Sequence, residues 1–263
     1  MKRYWGHLTA VVGIAVAAAG MNAACAHDDS TIFIRYVLQP PVASGNGCLY
    51  TSDPSQPYIS SGILDVAFST SYFAEFLIGN QMTPRGSTES NRTETSRVVL
   101  QGAIVRVTDA ATGADLRPAF TVSAGGAVDP ASGGTPAYAP FGVVIFDSQA
   151  AAALSIPAGG RARALTYVKV FGHTLGGQRV ETNEFQFPID ICRGCLVAFP
   201  QGVSSPLLPQ PNCANASSAT GGSTSLGLPC IVGQDQLIDC RNCPPGHEDV
   251  CGATSLSLDA GGG

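Results

Sequence analysis

The sequence predicts an all-β fold, an antiparallel sandwich of about seven to nine strands with a disulfide-rich, loop-dominated C-terminal extension. Charged residues make up only 13% of the 263 residues, whereas Gly and Pro number 31 and 18. This composition is typical of short strands joined by many turns. Runs of β-branched and aromatic residues recur between residues 32 and 199. Nine cysteines are present, and seven of them lie at or after residue 192, which predicts the cross-linked extension.

The first predicted strands lie before residue 80. Residues 32–38 are rich in β-branched and aromatic side chains and stop at Pro40-Pro41, as a strand does. Segments 63–69 and 72–78 follow. The second of these also has apolar residues at helical spacing. We predict a strand there, because strand-like segments flank it and Gly79-Asn80 ends it.

Residues 97–108 are the clearest strand. Strict alternation divides its side chains into two partly buried faces, one with Val99, Gln101, Ala103, Val105 and Val107 and the other with Leu100, Ile104 and Arg106. Gly113 supplies the position of positive φ in the turn that follows. The segment 102–113 resembles the strand and turn of immunoglobulin-like and carboxypeptidase-regulatory-like sandwich modules of exported proteins. The resemblance implies an immunoglobulin-like sandwich and nothing about a ligand.

A loop, another strand and a short helix are predicted next. Residues 125–140 are rich in Gly, Pro and Ala, which predicts a loop, and residues 141–146 are predicted to form a strand. Asp147 or Ser148 is expected to cap a single helical turn over residues 149–154 that ends at Pro157.

The strongest hairpin signal lies between residues 164 and 191. Predicted strands at 164–174 and 178–191 flank Leu175-Gly176-Gly177, a Gly-containing loop that suits antiparallel strands. The second strand presents four large apolar side chains on one face, Phe185, Phe187, Ile189 and Ile191. Each such side chain contributes roughly 1.5–3 kcal/mol when fully buried, so we expect this face in the core and assign residues 32–199 to one sandwich domain.

The composition changes after Phe199. Residues 200–229 form a Pro/Ser/Gly-rich linker, residues 230–252 a Cys-rich segment and residues 253–263 a tail that we expect to be disordered. Because these segments bury little apolar surface, we expect disulfides to attach them to the sandwich as an appendage. The candidates are Cys48, Cys192, Cys195, Cys213, Cys230, Cys240, Cys243 and Cys251. Eight cysteines allow 105 pairings, so the connectivity stays open.

Two C-x-x-C pairs, at residues 192–195 and 240–243, allow a sharper hypothesis. We expect structural disulfides at both. A zinc site is one alternative, because two-residue gaps let two thiolates face one ion. An oxidising compartment and the long separation between the pairs argue against zinc. A redox dithiol is the other alternative, although residues 196–200 do not form a helix that would lower the pKa of a thiol.

The first 24 residues have the pattern of an export signal. Lys2 and Arg3 precede an apolar stretch from residue 8 to residue 20. The stretch is too short to span a bilayer, so we expect cleavage. Ala23-Ala24-Cys25 resembles the lipobox of bacterial lipoproteins, although Asn22 stands where that family prefers Leu. The resemblance implies lipid attachment at Cys25, and residues 25–31 would then form a tether.

The number of cysteines bears on the fate of Cys25. An odd number leaves one thiol unpaired in an oxidising compartment. If Cys25 is acylated, or removed by a cut after Ala26, eight cysteines remain and all can pair. An ordinary cut after Ala24 is therefore disfavoured, while a lipoprotein and a soluble secreted protein both remain compatible with the count.

Catalytic motifs are absent from the sequence, which lacks the H-E-x-x-H, G-x-S-x-G, Walker A and EF-hand patterns. We expect His173 to be a solvated strand residue and residues 247–249 a solvated loop with at most weak metal affinity. Four carboxylates lie on separate segments with no reason to pair any two of them: Asp65, Glu75, Asp109 and Asp147. We predict no catalytic residues, no metal site and no cofactor.

The charge balance excludes one class of partner. The formal net charge is −5 and becomes about −7 once Lys2 and Arg3 leave with the signal, which disfavours nucleic acid. We expect a non-enzymatic exported lipoprotein of the bacterial cell envelope with a structural or binding role toward an envelope or extracellular protein. Its lipid would hold it to a membrane, the outer one because Ala26 rather than Asp follows the cysteine. The alternatives are a soluble secreted binding protein and a metal- or redox-dependent module that uses the C-x-x-C pairs.

Overall fold

The computed structural model describes residues 31–41, 48–86, 93–199, 229–247 and 249–252. In chain order its strands are β1 (Ile32–Leu38), β2 (Tyr58–Ile59), β3 (Gly62–Asp65), β4 (Tyr72–Asn80), β5 (Val98–Asp109), β6 (Asp115–Val128), β7 (Ala137–Phe146), β8 (Arg161–Thr174), β9 (Arg179–Glu181), β10 (Phe185–Cys192), β11 (Val197–Ala198) and β12 (Ile238–Asp239). Among the described residues, the α-helix α1 (Ser148–Leu154) follows β7, and a single 3₁₀ turn (Cys240–Asn242) follows β12. The predicted all-β fold is confirmed.

Ten of these strands form two sheets. The four-stranded sheet has the order β2-β1-β4-β7, and the six-stranded sheet has the order β3-β10-β8-β5-β6 with β9 beside β8. All neighbouring strands in them are antiparallel except β3, which runs parallel to β10. Eight of the ten are longer than three residues, within the predicted number. β11 and β12 form a separate parallel pair.

The core lies between the two sheets, as an immunoglobulin-like sandwich requires. The four-stranded sheet contributes Phe76 and Phe141, and the six-stranded sheet contributes Phe187 and Ile189, all fully buried. Rings meet across the interface, with the Phe76 and Phe185 centroids 5.8 Å apart. The predicted core face of the 178–191 segment is therefore confirmed, and segment 72–78 is a strand as predicted.

The predicted loop at residues 125–140 is wrong. β6 continues to Val128 and β7 begins at Ala137, so only a short turn separates them. In the sequence Gly126 is typical of a turn. In the structure it lies in β6, where the ring of Phe141 packs over it. A Cβ at Gly126 would lie 3.1 Å from that ring. Glycine here marks a close approach of two elements rather than a break.

The predicted faces of β5 are also partly wrong. Its register with β8 shifts between Leu100 and Gly102, where β5 advances two residues and β8 only one, so Gln101 is the extra residue of a β-bulge against β8. The bulge puts Leu100 on the buried face with Ala103 and leaves Val99 40% exposed. Period-two alternation does not anticipate an inserted residue, because every side chain after the insertion changes face.

The hairpin and the helix follow the predictions with changes in detail. β8 pairs with the two strands β9 and β10 in place of one long arm, because residues 182–184 between them are not in a strand. Thr182 is buried, and its hydroxyl accepts a hydrogen bond from the Val170 N–H at 3.0 Å. Asp147 caps α1 by accepting from the Ala150 N–H, as predicted. The helix ends at Ser155 in a left-handed conformation, two residues before Pro157.

Candidate functional site at the Cys192–Cys195 loop

Disulfides join six of the predicted cysteines. The pairs are Cys48–Cys230, Cys192–Cys195 and Cys243–Cys251, which lie 182, 3 and 8 residues apart in the chain. Cys240 is also disulfide-bonded. Cys25 and Cys213 lie outside the described residues. The prediction of disulfides is confirmed for the described cysteines.

The two C-x-x-C pairs differ in their bonding. The first closes on itself, whereas Cys243 pairs with Cys251 instead of Cys240. Their sulfurs therefore belong to separate disulfides and do not face one another as a four-thiolate set. A carboxylate oxygen of Asp65 and the sulfurs of Cys192 and Cys195 all lie within 4.8 Å of one another. A disulfide sulfur is not a thiolate, so this oxidised group offers a cation only the carboxylate.

Asp65 organises the loop between the two cysteines. Its side chain is fully buried at the end of β3. One carboxylate oxygen accepts from the Gly194 N–H at 2.7 Å and the Ala67 N–H at 3.0 Å, and the other accepts from the Leu196 N–H at 2.9 Å. Burial of a carboxylate requires such donors. The carboxylate therefore holds the 192–195 loop through its backbone, independently of the sulfur–sulfur bond.

The local sequence explains why the chain turns here. β10 ends at Cys192, whose carbonyl accepts from the Val66 N–H at 2.8 Å. Gly194 then adopts a φ of +81°, a conformation that L side chains rarely take. The C-x-x-C spacing and this glycine together let the chain reverse over Asp65.

A cavity of about 400 Å³ lies beside the loop. Cys192 and Cys195 line it, together with Ile63, Arg161, Ala162, Arg163, Asp190, Ile191, Leu196 and Leu237. Ile63 and Leu237 are 37% and 50% exposed, which is high for large apolar side chains. Arg163 forms a two-pronged ion pair with Asp190 at 2.6 and 2.9 Å. The cavity thus offers apolar and cationic groups next to a disulfide.

The Cys-rich segment docks on the sandwich through residues 233–235, named here the clasp. The Gly233 carbonyl accepts from the Asp65 N–H at 2.8 Å. The Gln234 amide accepts from the Phe73 N–H at 2.9 Å and donates to the Phe73 carbonyl at 2.6 Å. Asp235 accepts from the Ile63 N–H at 2.7 Å and from the Tyr72 hydroxyl at 2.6 Å. These hydrogen bonds attach the described part of the extension to the sandwich, in addition to the expected disulfide attachment through Cys48–Cys230.

Buried acidic groups surround the clasp. Burial raises the pKa of Asp235 above its ordinary value, although three hydrogen bonds oppose the shift. Burial also raises the pKa of the half-buried Glu75 on β4 to about 7. The pKa of Tyr50 rises to about 12, first through burial and then through the charges of Glu75 and Asp235. Only Glu75 was singled out in the sequence, because Tyr50, Gln234 and Asp235 belong to no recognisable motif.

The remaining candidate residues have local roles. The ring of His173 on β8 is hydrogen-bonded to Gln101 at 2.8 Å. The ring of His247 packs against Phe68 with centroids 5.1 Å apart and is partly buried, whereas Asp249 is exposed. Asp109 caps its turn by accepting from the Ala111 N–H at 2.7 Å, and Asp147 pairs with Arg117 besides capping α1.

Several predictions fall outside the described residues. These are the export signal 1–24, the lipid site Cys25 and most of the tether, the linker 200–228 and the tail 253–263. Among the described residues, none of the helices has the length and apolar character needed to cross a membrane.

Comparisons with known proteins identify no relative. The chain matches no family model and no curated protein. A late embryogenesis abundant (LEA) protein, solved in solution, is 11% identical, with 69% of this chain and 85% of that chain covered and a TM-score of 0.30. The CooA pilin subunit from enterotoxigenic Escherichia coli is 12% identical, with 54% and 95% covered and a TM-score of 0.25. At such scores we draw no argument from either resemblance.

Proposed function

We propose that this protein is a non-enzymatic exported lipoprotein of the bacterial cell envelope, anchored through Cys25. Its sandwich has a structural or binding role there. The export signal over residues 1–24 and the lipobox-like residues 23–25 support the proposal. The described disulfides support it as well, because disulfides persist mainly in oxidising compartments outside the cytoplasm.

The bonding of the cysteines is the observation that carries the proposal. Seven cysteines lie in described residues, and all seven are disulfide-bonded. The chain has nine cysteines, an odd number, so disulfides within the chain leave one cysteine unpaired. We propose that this cysteine is Cys25, at the end of the export signal, and that its sulfur carries a diacylglycerol.

An aromatic patch on the four-stranded sheet supports a binding role. The ring of Tyr58 is 61% exposed and stacks on Tyr36 with centroids 4.8 Å apart. Arg35 lies over Tyr36 and over Tyr138, and donates a hydrogen bond to the Tyr138 hydroxyl at 2.8 Å. Tyrosine and arginine are enriched at protein interfaces. The patch therefore suits an envelope or extracellular protein partner.

Metabolic labelling tests the anchor. The full-length gene is expressed in a Gram-negative bacterium with an alkyne fatty-acid analogue, and the protein is purified and coupled to a fluorophore. We expect label on the wild type and on Cys213→Ala, and none on Cys25→Ala. Cys213→Ala is the matched control because it also replaces one cysteine outside the sandwich domain and leaves Cys25 in place.

Fractionation separates the alternatives. We expect the wild type in the membrane fraction and Cys25→Ala in the periplasm or medium. An unlabelled wild-type protein that fractionates with Cys25→Ala contradicts the anchor and supports a soluble secreted protein.

A further inference from the structure

The Cys192–Cys195 disulfide restrains the chain less than the other described disulfides do. It joins residues only three apart, whereas the others join residues 8 and 182 apart. The restraint that a disulfide places on the unfolded chain grows with the length of the loop it closes. β10 is already held at this end by β3 and β8. Its structural contribution is therefore the smallest of the three described disulfides.

The two sulfurs differ in their access to solvent. Cys192 is only 3% exposed, while Cys195 is partly exposed and follows the exposed Arg193 and Gly194. Both line the cavity that also contains Ile63 and Leu237. An attacking thiolate therefore reaches Cys195 first, and Cys192 is the leaving sulfur. The exposed apolar side chains beside it suit a polypeptide partner.

The loop has a restraint that does not depend on the sulfur–sulfur bond. The Asp65 carboxylate accepts from the Gly194 and Leu196 N–H groups, and neither hydrogen bond involves a sulfur atom. A thiol at Cys192 would have an acceptor in the Leu64 carbonyl, which lies 3.6 Å from its sulfur. The nearby carboxylate disfavours a second negative charge, so the released Cys192 sulfur takes up a proton.

We infer that the Cys192–Cys195 disulfide, set beside an open cavity and a buried carboxylate, is a thiol–disulfide exchange site that accepts electrons from the dithiol of a partner polypeptide. A partner thiolate attacks the Cys195 sulfur, a mixed disulfide forms, and Cys192 leaves with the electron pair and is protonated. The second thiolate of the partner then attacks the partner's first sulfur in the mixed disulfide. Cys195 leaves with the electron pair of the broken bond and is protonated in turn. The partner loses two electrons and two protons, and the cysteine pair gains both.

A redox titration of the folded, oxidised chain tests this inference independently of Cys25. The protein is equilibrated in glutathione buffers of increasing reducing strength, alkylated with N-ethylmaleimide and mapped by peptide mass. We expect the Cys192–Cys195 disulfide to be reduced in milder buffers than the other disulfides. Its equilibrium constant for reduction by glutathione should exceed theirs about tenfold or more. Reduction of Cys192–Cys195 together with or after Cys243–Cys251 overturns the inference.

The identity of the attacked sulfur is a second test. Brief exposure of the wild type to reduced glutathione, followed by acid quenching, should trap glutathione on Cys195 and not on Cys192. With glutathione disulfide as the probe, Cys192→Ser should form a mixed disulfide about tenfold faster than Cys195→Ser. Adducts on both cysteines in equal amount contradict the inference. A Cys243→Ser/Cys251→Ser variant is the control, and the Cys192–Cys195 midpoint should not change in it.

Discussion

Two carboxylates, the fully buried Asp65 and the half-buried Glu75, show how the surroundings of a residue decide its chemistry. Asp65 is fully buried and accepts three backbone N–H groups. Glu75 lies half-buried on β4, where no backbone N–H of the described residues donates to its carboxylate, and burial raises its pKa to about 7. The first arrangement turns a carboxylate into a structural acceptor for a loop. The second leaves a group whose charge changes near neutral pH.

Replacement of Asp65 by Asn should destabilise the fold. The amide keeps one acceptor oxygen, and its NH₂ group would face a backbone N–H that the carboxylate now accepts. We expect a loss of about 2 kcal/mol in the free energy of unfolding, measured by urea denaturation. Asp109→Asn is the matched control, because Asp109 accepts backbone N–H groups in a surface turn. An equal loss in both variants would contradict the buried role of Asp65.

Glu75 should make the stability depend on pH. Because its pKa of about 7 in the folded state exceeds the ordinary value of 4.5, the folded protein holds more protons than the unfolded chain between these values. Stability therefore falls as the pH rises through this window. Glu75→Gln should be more stable than the wild type by about 1 kcal/mol at pH 8, after allowance for solvent screening, and should match it at pH 4. Urea denaturation of both proteins at both pH values measures the difference in their free energies of unfolding. If that difference is the same at pH 8 and pH 4, Glu75 is not the group that makes the stability depend on pH.

Among the elements, β5 shows how one inserted residue redirects a strand. The bulge at Gln101 coincides with Gly102, where a Cβ would lie 2.2 Å from the Val122 carbonyl oxygen. Only glycine allows the neighbouring strand to approach so closely. The bulge then aligns Leu100 with Ala103 and Val105 in the core.

Two alanine variants on adjacent β5 residues test this assignment. Leu100→Ala removes a side chain that is 1% exposed and should cost about 3 kcal/mol through lost burial and a cavity. Val99→Ala removes an exposed side chain and should cost less than about 1 kcal/mol. Guanidinium chloride denaturation of both variants gives the comparison. A larger loss of stability for Val99→Ala than for Leu100→Ala would contradict the bulge and favour strict alternation of the side chains along β5.

The elements that were predicted well have local signals. β1 carries a continuous run of β-branched and aromatic residues, and its bounds agree with the prediction. The residue that caps α1, Asp147, directly precedes the helix in the sequence. β6 was missed because one of its faces is exposed and because Gly126, typical of a turn in sequence, packs under the ring of Phe141 on β7. Local composition does not report such packing, since the contact comes from another strand.

The site shows the same division between local and distant information. The C-x-x-C spacing at 192–195 is visible in the sequence, and so is the need for disulfides. The role of Asp65 is not, because its donors at Gly194 and Leu196 lie 129 and 131 residues away. Gln234 reaches Phe73 across 161 residues. Contacts over such separations depend on strand order, which a single sequence does not specify.

In the whole molecule, the C-terminal segment completes the edge where the two sheets meet. The clasp hydrogen-bonds to Ile63 and Asp65 of the six-stranded sheet, and to Tyr72 and Phe73 of the four-stranded sheet. Cys48–Cys230 ties the same segment to the loop that precedes β2. Because both sheets depend on it, loss of the segment should loosen the sandwich as a unit rather than release a tail.

Removal of individual disulfides measures this coupling. Cys48→Ala/Cys230→Ala opens a loop of 182 residues and should lower the free energy of unfolding by about 5 kcal/mol on the chain-entropy relation. Cys192→Ala/Cys195→Ala opens a loop of three residues and should lower it by about 2 kcal/mol on the same relation. Guanidinium chloride denaturation without reductant compares the two double variants with the wild type. Equal losses would mean that loop length does not govern the contribution of these disulfides, and that the clasp holds the segment in place without Cys48–Cys230.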